Sequence, residues 1–283
     1  MTPTTAPLAL ALKNIPVQFD EDNHVYSLSQ DGDTKWLMGV TSILQCAAKE
    51  FMGWYAAGEM AKALGVDKSE DERIKWRKPR YVGGAWEPDR SYTVPEITKI
   101  VTEARKAFDR TSRAARGTGT DAHGWIKDHI AGRKPDLPTD PSALHAVTAF
   151  RAWEKAFDVH WLASELIVVS LTHGYAGTLD GVAVVRNKVV LLDLKTSGGV
   201  YDEYFTQLQA YADALAEMAT VQTPAIEEQA IVWIPKDGRP AVYCPNPIPP
   251  EISRASFHGL MAEYRRRRYV KNLVENGGWA GMR

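Results

Sequence analysis

With 283 residues, 45% of them hydrophobic and 24% charged, the chain is long and apolar enough to bury a core. This composition excludes an intrinsically disordered chain, which would be more polar. The formal net charge of −1 at pH 7 argues against a protein that coats nucleic acid through its overall charge, since such domains are usually strongly basic. Two cysteines are too few for a disulfide framework or a four-cysteine zinc or iron-sulfur site, so no iron-sulfur cluster is expected.

The N-terminal residues 1–12 contain a short apolar run that has no cations before it and is too short to cross a bilayer. We therefore expect a soluble cytoplasmic protein with no membrane partner. After this segment, residues 17–44 alternate in polarity, with turn signals at 20–23 and 31–33, and this pattern predicts a small β-hairpin.

An apolar stripe at helical spacing from Trp54 to Leu64 predicts the next helix. Residues 68–92 are charged and rich in Gly and Pro, which predicts a long loop or flap. Two further helices follow, one over about 94–116 and one that carries His123. Another helix begins at Asp140-Pro141, because Asp is a good N-cap and Pro is favoured in the first turn.

From residue 161 onward the pattern changes to strands that are rich in Val and Leu. The predicted elements are strands at 166–170, 178–186 and 188–194, a helix at 204–218, strands at 226–234 and 241–244, and a closing helix at 250–274. This order predicts an α+β fold in which helices flank a mixed β-sheet. We expect one domain over 1–283, with a mostly helical subregion and small hairpin at 1–120, the core at 121–245, and a C-terminal helix and tail at 246–283.

Three basic clusters, at 75–81, 105–116 and 265–268, offer contacts to phosphate despite the nearly neutral net charge. Taken singly, each cluster is equally consistent with a solvated face. The second cluster leads along its helix directly into His123, so that phosphate-binding residues would approach His123 along the chain.

Two acidic residues and a lysine lie at the ends of two neighbouring predicted strands. We place Asn187 and Lys188 in the turn between these strands, and Asp180 then lies opposite Lys195. Because opposed residues share a face and side chains alternate, Asp180, Asp193 and Lys195 project from the same side. A one-residue slip in the turn would separate Asp180 from the other two.

Clustered carboxylates repel each other unless a cation joins them, and a hard divalent ion such as Mg²⁺ is their natural partner. A charged Lys195 cannot be a ligand, but it can position or deprotonate an attacking water and offset charge on a phosphate. The alternative is an ordinary surface ion pair between Asp193 and Lys195. The apolar run at 189–192 argues against this alternative, because it predicts that the pair ends a buried strand.

These segments resemble motifs of the PD-(D/E)XK nuclease superfamily, in the branch of RecB-type nuclease domains and phage-type or mitochondrial exonucleases. The matching residues are Arg116-Gly117 with His123, Glu165, Gly177–Asp180 for G-x-x-D, Asp193–Lys195 for D-x-K, and Gln207 with Tyr211 for Q-x-x-x-Y. Residues 39–44 also resemble an N-terminal segment of the phage-type members. The order of the motifs makes the set more specific than any one of them.

The resemblance implies a restriction-endonuclease-like core that hydrolyses DNA phosphodiester bonds with one or two Mg²⁺ or Mn²⁺ ions and leaves 5′-phosphates. It implies catalytic roles for Lys195, Asp180, Asp193, Gln207 and Tyr211, and metal ligation by Asp180, Asp193, His123 and Glu165. Gln207 and Tyr211 are four residues apart and therefore share one helical face. From the residues alone, the alternative is that Tyr211 lies in the core and Gln207 in solvent.

The partner that the resemblance implies is DNA, as linear or single-stranded ends, with a recombination or single-strand-binding protein as a candidate second partner. The residues expected to contact DNA are Arg105, Arg110, Arg113, Arg116 and Thr196. A phage-type exonuclease in recombination or end processing is the first expectation, located in the host cell if it is phage-encoded. The alternatives are a structure- or site-specific endonuclease and a non-catalytic DNA-binding module on the same fold.

Overall fold

The computed structural model describes residues 10–21, 23, 25–30, 32–47, 80–82, 85–87 and 121–275. The strands are β1 (Val17–Asp20), β2 (Val25–Gln30), β3 (Asp33–Gly39), β4 (Arg80–Val82), β5 (Ala85–Glu87), β6 (His160–Ser170), β7 (Tyr175–Val185), β8 (Lys188–Lys195), β9 (Glu228–Trp233) and β10 (Val242–Pro245). The helices are α1 (Val40–Leu44), α2 (121–130), α3 (Pro141–Ala156), α4 (Asp202–Met218) and α5 (Pro250–Glu275). None of these helices is both long and apolar enough to span a membrane.

The chain forms two compact units, one made of 1–47 with 118–283 and the other of 48–117. In the second unit, β4 pairs antiparallel with β5, so the segment predicted as a flap contains a β-hairpin. The two helices predicted for this unit lie outside the described residues. The predicted single domain, with subregion limits at 120 and 245, stays a prediction.

The first unit is built on an eight-stranded mixed sheet in the order β1-β2-β3-β7-β8-β9-β10, with β6 also paired to β7. The β3–β7 and β8–β9 pairs are parallel, and the others are antiparallel. One core cluster joins the sheet to α1, α4 and α5, and a second joins it to α2 and α3. The predicted α+β class, a mixed sheet flanked by helices, is therefore confirmed.

At the N-terminus, the predicted hairpin is a three-stranded meander, β1-β2-β3, whose turns lie at the two predicted signals. Gly32, in the second turn, has a φ of +86°, which glycine adopts at little cost. Strand β3 then joins the main sheet by pairing with β7, where Met38 pairs with Tyr175. The meander therefore continues into the same sheet as β7 and β8.

Strand β8 is buried on both faces, because helices pack on each side of it. Leu191 belongs to the cluster with α4 and α5, whereas Val190 and Leu192 belong to the cluster with α2 and α3. This double burial explains the continuous apolar run in the sequence. By alternation from Leu191, the side chains of Asp193 and Lys195 point to the side of α4.

The turn between β7 and β8 differs from the prediction, which placed Asn187 and Lys188 in it. Val185 pairs with Lys188, and the two turn residues are Arg186 and Asn187, with φ values of 49° and 68°. Both residues therefore have the positive φ that a two-residue type I′ turn requires. Arg186 is held in this turn by Phe157, whose ring lies 3.9 Å from its guanidinium carbon.

The corrected register moves each pair by two residues, so Asp180 no longer lies opposite Lys195. Regular pairing ends at Gly181 and Leu192, and by the same register Asp180 would oppose Asp193. Because the side-chain period of a strand is two, a shift of two residues keeps each side chain on its face. The inference that both aspartates and Lys195 share one region therefore does not depend on the mistaken turn.

Candidate functional site

The two aspartates and the lysine lie where β7 and β8 part. Asp180 Oδ2 accepts a hydrogen bond of 2.6 Å from the backbone N–H of Leu194. Asp193 is 2% exposed, and its Oδ2 lies 2.7 Å from Nζ of Lys195, whose side chain is 19% exposed. The structure therefore brings together the three residues on which the sequence analysis depends.

Burial sets the charge states of this group. It raises the pKa of Asp193 to about 6, against the opposing effect of the Lys195 charge, and it also raises the pKa of Asp180. Burial favours the neutral amine of Lys195, but the charges of Asp193 and Asp180 outweigh it and raise the lysine pKa. Lys195 is therefore an ammonium in this arrangement and not a free base.

The carboxylate of Asp193 has one cation beside it, the ammonium of Lys195. Apart from the Lys195 ammonium, its buried Oδ2 has no hydrogen-bond donor among the described residues. In the same part of the chain, no three His, Cys, Asp or Glu side chains stand close enough to form a complete metal site. Mg²⁺ is usually held by only one or two carboxylates together with waters and substrate phosphates, so Asp180 and Asp193 suffice for that ion.

His123 and Glu165 lie within electrostatic range of the two aspartates. Burial and the Lys195 charge lower the pKa of His123, while Asp193 and Glu165 act in the opposite direction, so the imidazole lies within electrostatic range of the site. Glu165 makes a 3.2 Å ion pair with Lys127, one helical turn after His123 on α2. The charges of both side chains therefore act on the two aspartates.

Glu165 interrupts the regular course of β6. Its φ is 50°, a left-handed value that is uncommon for a residue other than glycine. The pairs on either side of it are Ser164 with Gly181 and Leu166 with Leu179, so Glu165 occupies the position facing Asp180. The irregularity therefore lies beside the point where β7 and β8 part, as strained residues often lie at functional sites.

Helix α4 supplies a buried polar pair to the same region. Gln207 Nε2 donates a 2.8 Å hydrogen bond to the Tyr211 hydroxyl, and the two residues are 6% and 2% exposed. Gln207 is therefore in the interior, and the alternative of a solvent-exposed Gln is wrong. Burial, and next the charge of Asp193, raise the pKa of Tyr211 well above its usual value, so its hydroxyl keeps its proton.

Steric crowding explains why the G-x-x-D segment has glycine at its first position, Gly177. A Cβ atom on Gly177 would lie 2.5 Å from Cε1 of Tyr211 and 3.2 Å from Cγ2 of Val40. The Tyr211 ring therefore fills the space that any side chain at 177 would need. This contact links the G-x-x-D segment to the Q-x-x-x-Y pair directly.

The residues expected to contact DNA are only partly described. Arg105, Arg110, Arg113 and Arg116 lie outside the described residues. Thr196 follows Lys195 and is buried, at 8% exposure. On α5, the arginines at 265–268 are exposed, and Glu263 pairs with two of them.

Two aromatic residues near the site were missed by the sequence analysis. The Tyr26 hydroxyl lies 3.0 Å from Oγ1 of Thr178, across 152 residues of sequence, so no local pattern could reveal it. The ring of Tyr204 lies 4.9 Å from Nζ of Lys195. A signal for Tyr204 was present, because it precedes Gln207 by three residues on the same helix and so shares its face.

No family model and no curated protein matches the chain. Among solved structures, that of SSO0001 matches at 17% sequence identity with a TM-score of 0.26, over 45% of this chain and 61% of that chain. The match thus spans about three fifths of the SSO0001 chain. At this TM-score the likeness carries no argument about fold or function.

Proposed function

We propose that the protein is a divalent-metal-dependent deoxyribonuclease with a restriction-endonuclease-like core of the PD-(D/E)XK type. Its task is that of a phage-type exonuclease in DNA recombination or end processing. The observation that carries the proposal is the buried group of Asp180, Asp193 and Lys195 where β7 and β8 part. The motif resemblance supplies the substrate, DNA, and the reaction class.

Burial argues against a structural role for the Asp193–Lys195 pair. An exposed ion pair contributes little and forms easily, whereas burying one costs desolvation energy that mutual attraction often fails to recover. Two carboxylates with raised pKa values beside one ammonium add repulsion to this cost. Such perturbed groups are more often found at functional sites than elsewhere.

The residues present fit Mg²⁺ or Mn²⁺, as one or two ions. Asp180 and Asp193 would hold the ion, with His123 and Glu165 beside them. When bound, the ion would polarise the scissile phosphate and lower the pKa of water. Neither His123 nor Glu165 is required for this assignment, because one or two carboxylates are sufficient for Mg²⁺.

The remaining chemistry belongs to the side chains. The Lys195 ammonium can donate a hydrogen bond to a phosphate oxygen or to the attacking water, and it offsets negative charge that develops on the phosphate. The Gln207–Tyr211 hydrogen bond holds these two side chains together on one face of α4, and the Tyr211 ring packs closely against Gly177. Because Tyr211 stays protonated, its hydroxyl adds no further negative charge beside the aspartates.

The proposal is tested by incubating the purified protein with end-labelled linear DNA and with circular DNA, in Mg²⁺, Mn²⁺ or a chelator. We expect cutting of linear DNA only, and only with a divalent ion. Cutting of both substrates would instead indicate an endonuclease. Binding without cutting would support a non-catalytic DNA-binding module and overturn the proposal. Asp193→Asn serves as the inactive reference in every condition.

Metal binding is expected to depend on pH because protons compete for Asp193, whose pKa burial raises to about 6. Above this pH the Asp193 carboxyl is ionised and no longer contributes to the pH dependence. Below it the apparent affinity decreases by about tenfold or more per pH unit, since at least the proton of Asp193 must leave for each ion bound. Calorimetric titration with Mn²⁺ between about pH 5 and pH 8 measures this dependence, and equal affinity across the range would contradict it.

A further inference from the structure

The ammonium of Lys195 lies between a carboxylate and an aromatic ring. Its Nζ is 2.7 Å from Oδ2 of Asp193 and 4.9 Å from the centre of the Tyr204 ring. An ammonium within about 6 Å of a ring face is attracted by the negative charge of that face, and the attraction grows when water is excluded. With 19% of the Lys195 side chain exposed, most of this water is excluded.

The Tyr204 ring is itself supported by a neighbouring aromatic ring. Tyr201 packs edge-on against the ring, with centres 5.5 Å apart and planes at 78°. This contact supports the Tyr204 ring independently of Lys195.

A lysine side chain needs such support, because its four-carbon stem has many rotamers. In the present arrangement Asp193 provides part of it. A divalent ion held by Asp193 would compete with Lys195 for the same carboxylate. The ring of Tyr204 has no atom that ligates Mg²⁺, so it continues to attract the ammonium when the ion is present.

We infer that Tyr204 is a positioning residue for Lys195, acting through the electron-rich face of its ring. The catalytic consequence rests on the proposed nuclease function. The competing explanation is that Tyr204 only fills space beside the first turn of α4. The two explanations differ in what matters about the side chain, since positioning needs an electron-rich ring and packing needs only an apolar side chain.

Kinetic measurements separate these explanations through a graded series at position 204. Tyr204→Phe keeps the ring and is expected to keep kcat, whereas Tyr204→Leu is expected to lower kcat about tenfold with KM for DNA unchanged. Mono-, di- and trifluorinated phenylalanines at 204 keep the shape but progressively weaken the ring face. We expect kcat to decrease with each fluorine, which packing alone does not predict.

A second readout does not require cleavage. Protons above an aromatic ring shift upfield in NMR spectra, so the ε-methylene protons of Lys195, assigned with Lys195→Arg, should be upfield in the wild type and in Tyr204→Phe. The shift should be absent in Tyr204→Leu. The matched control is Tyr264→Leu on α5, which removes a different ring that lies 5.9 Å from Arg268 and should change neither readout.

The two readouts keep failure of this inference distinct from failure of the proposed function. If the wild type cuts no DNA, the nuclease proposal fails, and the NMR shift still shows whether Tyr204 holds Lys195. The inference is overturned if the Lys195 shift is the same in the wild type and in Tyr204→Leu. It is also overturned if the shift disappears but kcat does not change, because the ring contact then positions nothing that catalysis uses.

Discussion

Lys195→Ala is expected to lower the rate of DNA cleavage by about 10²- to 10³-fold or more, to the detection limit of most assays, while DNA affinity stays nearly intact. The reason is that the ammonium acts on charge that develops during the reaction, whereas binding of DNA depends on many phosphate contacts elsewhere. Single-turnover cleavage and equilibrium binding, measured on the same end-labelled DNA, give the two quantities.

The matched control is Lys188→Ala, at the other end of β8. This lysine is also ion-paired, to Glu228 at 2.8 Å, but its side chain is 57% exposed, so its removal should change neither cleavage nor folding. Wild-type cleavage by Lys195→Ala would contradict the assigned role, and so would loss of DNA binding in a folded variant.

Removal of Lys195 also leaves Asp193 buried without its counter-charge, which costs up to about 3–5 kcal/mol. If Lys195→Ala fails to fold for this reason, the double variant Asp193→Asn with Lys195→Met removes both charges together. It is expected to fold, since replacing a buried ion pair by neutral groups of similar size is often tolerated, and to be as inactive as the single variant. A folded double variant that cleaves DNA would contradict the assignment.

Gly177→Ala is expected to destabilise the protein by about 1–3 kcal/mol and to reduce cleavage, because the new Cβ would lie 2.5 Å from the Tyr211 ring. The ring cannot yield easily, since Tyr211 is 2% exposed and bonded to Gln207. Urea unfolding measures the free energy of unfolding, and the cleavage assay measures the loss of activity expected when the Tyr211 ring pushes α4 away from the site.

Gly259→Ala provides the control for this substitution. Gly259 lies within α5, and a Cβ there would meet no atom within 4 Å. Alanine in a helix interior is favoured over glycine, so this variant should be more stable by about 0.5–1 kcal/mol. If Gly177→Ala is as stable as Gly259→Ala, then Gly177 does not approach the Tyr211 ring as closely as the structure indicates.

The long elements of the C-terminal half could be predicted from sequence because their periodicities are strong. The helix predicted at 204–218 is α4 at 202–218, and the closing helix predicted at 250–274 is α5 at 250–275. The predicted cap of α3 is also confirmed, since Asp140 Oδ1 accepts a hydrogen bond from the Ala143 N–H at 2.8 Å. Local signals sufficed for these elements because they need no knowledge of distant partners.

The features that were predicted wrongly or missed depend on contacts between distant residues. The turn at Arg186 and Asn187 is fixed in part by the packing of Arg186 on Phe157, 29 positions earlier in the chain. The left-handed backbone of Glu165 has no glycine to signal it. Gln207 was compatible with solvent until its partner, the buried Tyr211 hydroxyl, was known.

The site could be inferred in spite of the wrong turn because only the face of each side chain mattered, and strand faces repeat every two residues. Its full composition could not be inferred. Tyr26 reaches Thr178 only because β3 pairs with β7, which joins the N-terminal meander to the main sheet. Whether His123 and Glu165 complete the ligand set depends on side-chain positions that sequence spacing does not determine.

The central claim is that Asp180 and Asp193 together bind a divalent ion beside Lys195. Anomalous diffraction from crystals grown with Mn²⁺ tests it most directly. The predicted result is one or two peaks, with at least one within about 2.2 Å of a carboxylate oxygen of each aspartate. Peaks only at other positions, or none between these two carboxylates at saturating Mn²⁺, would contradict the claim.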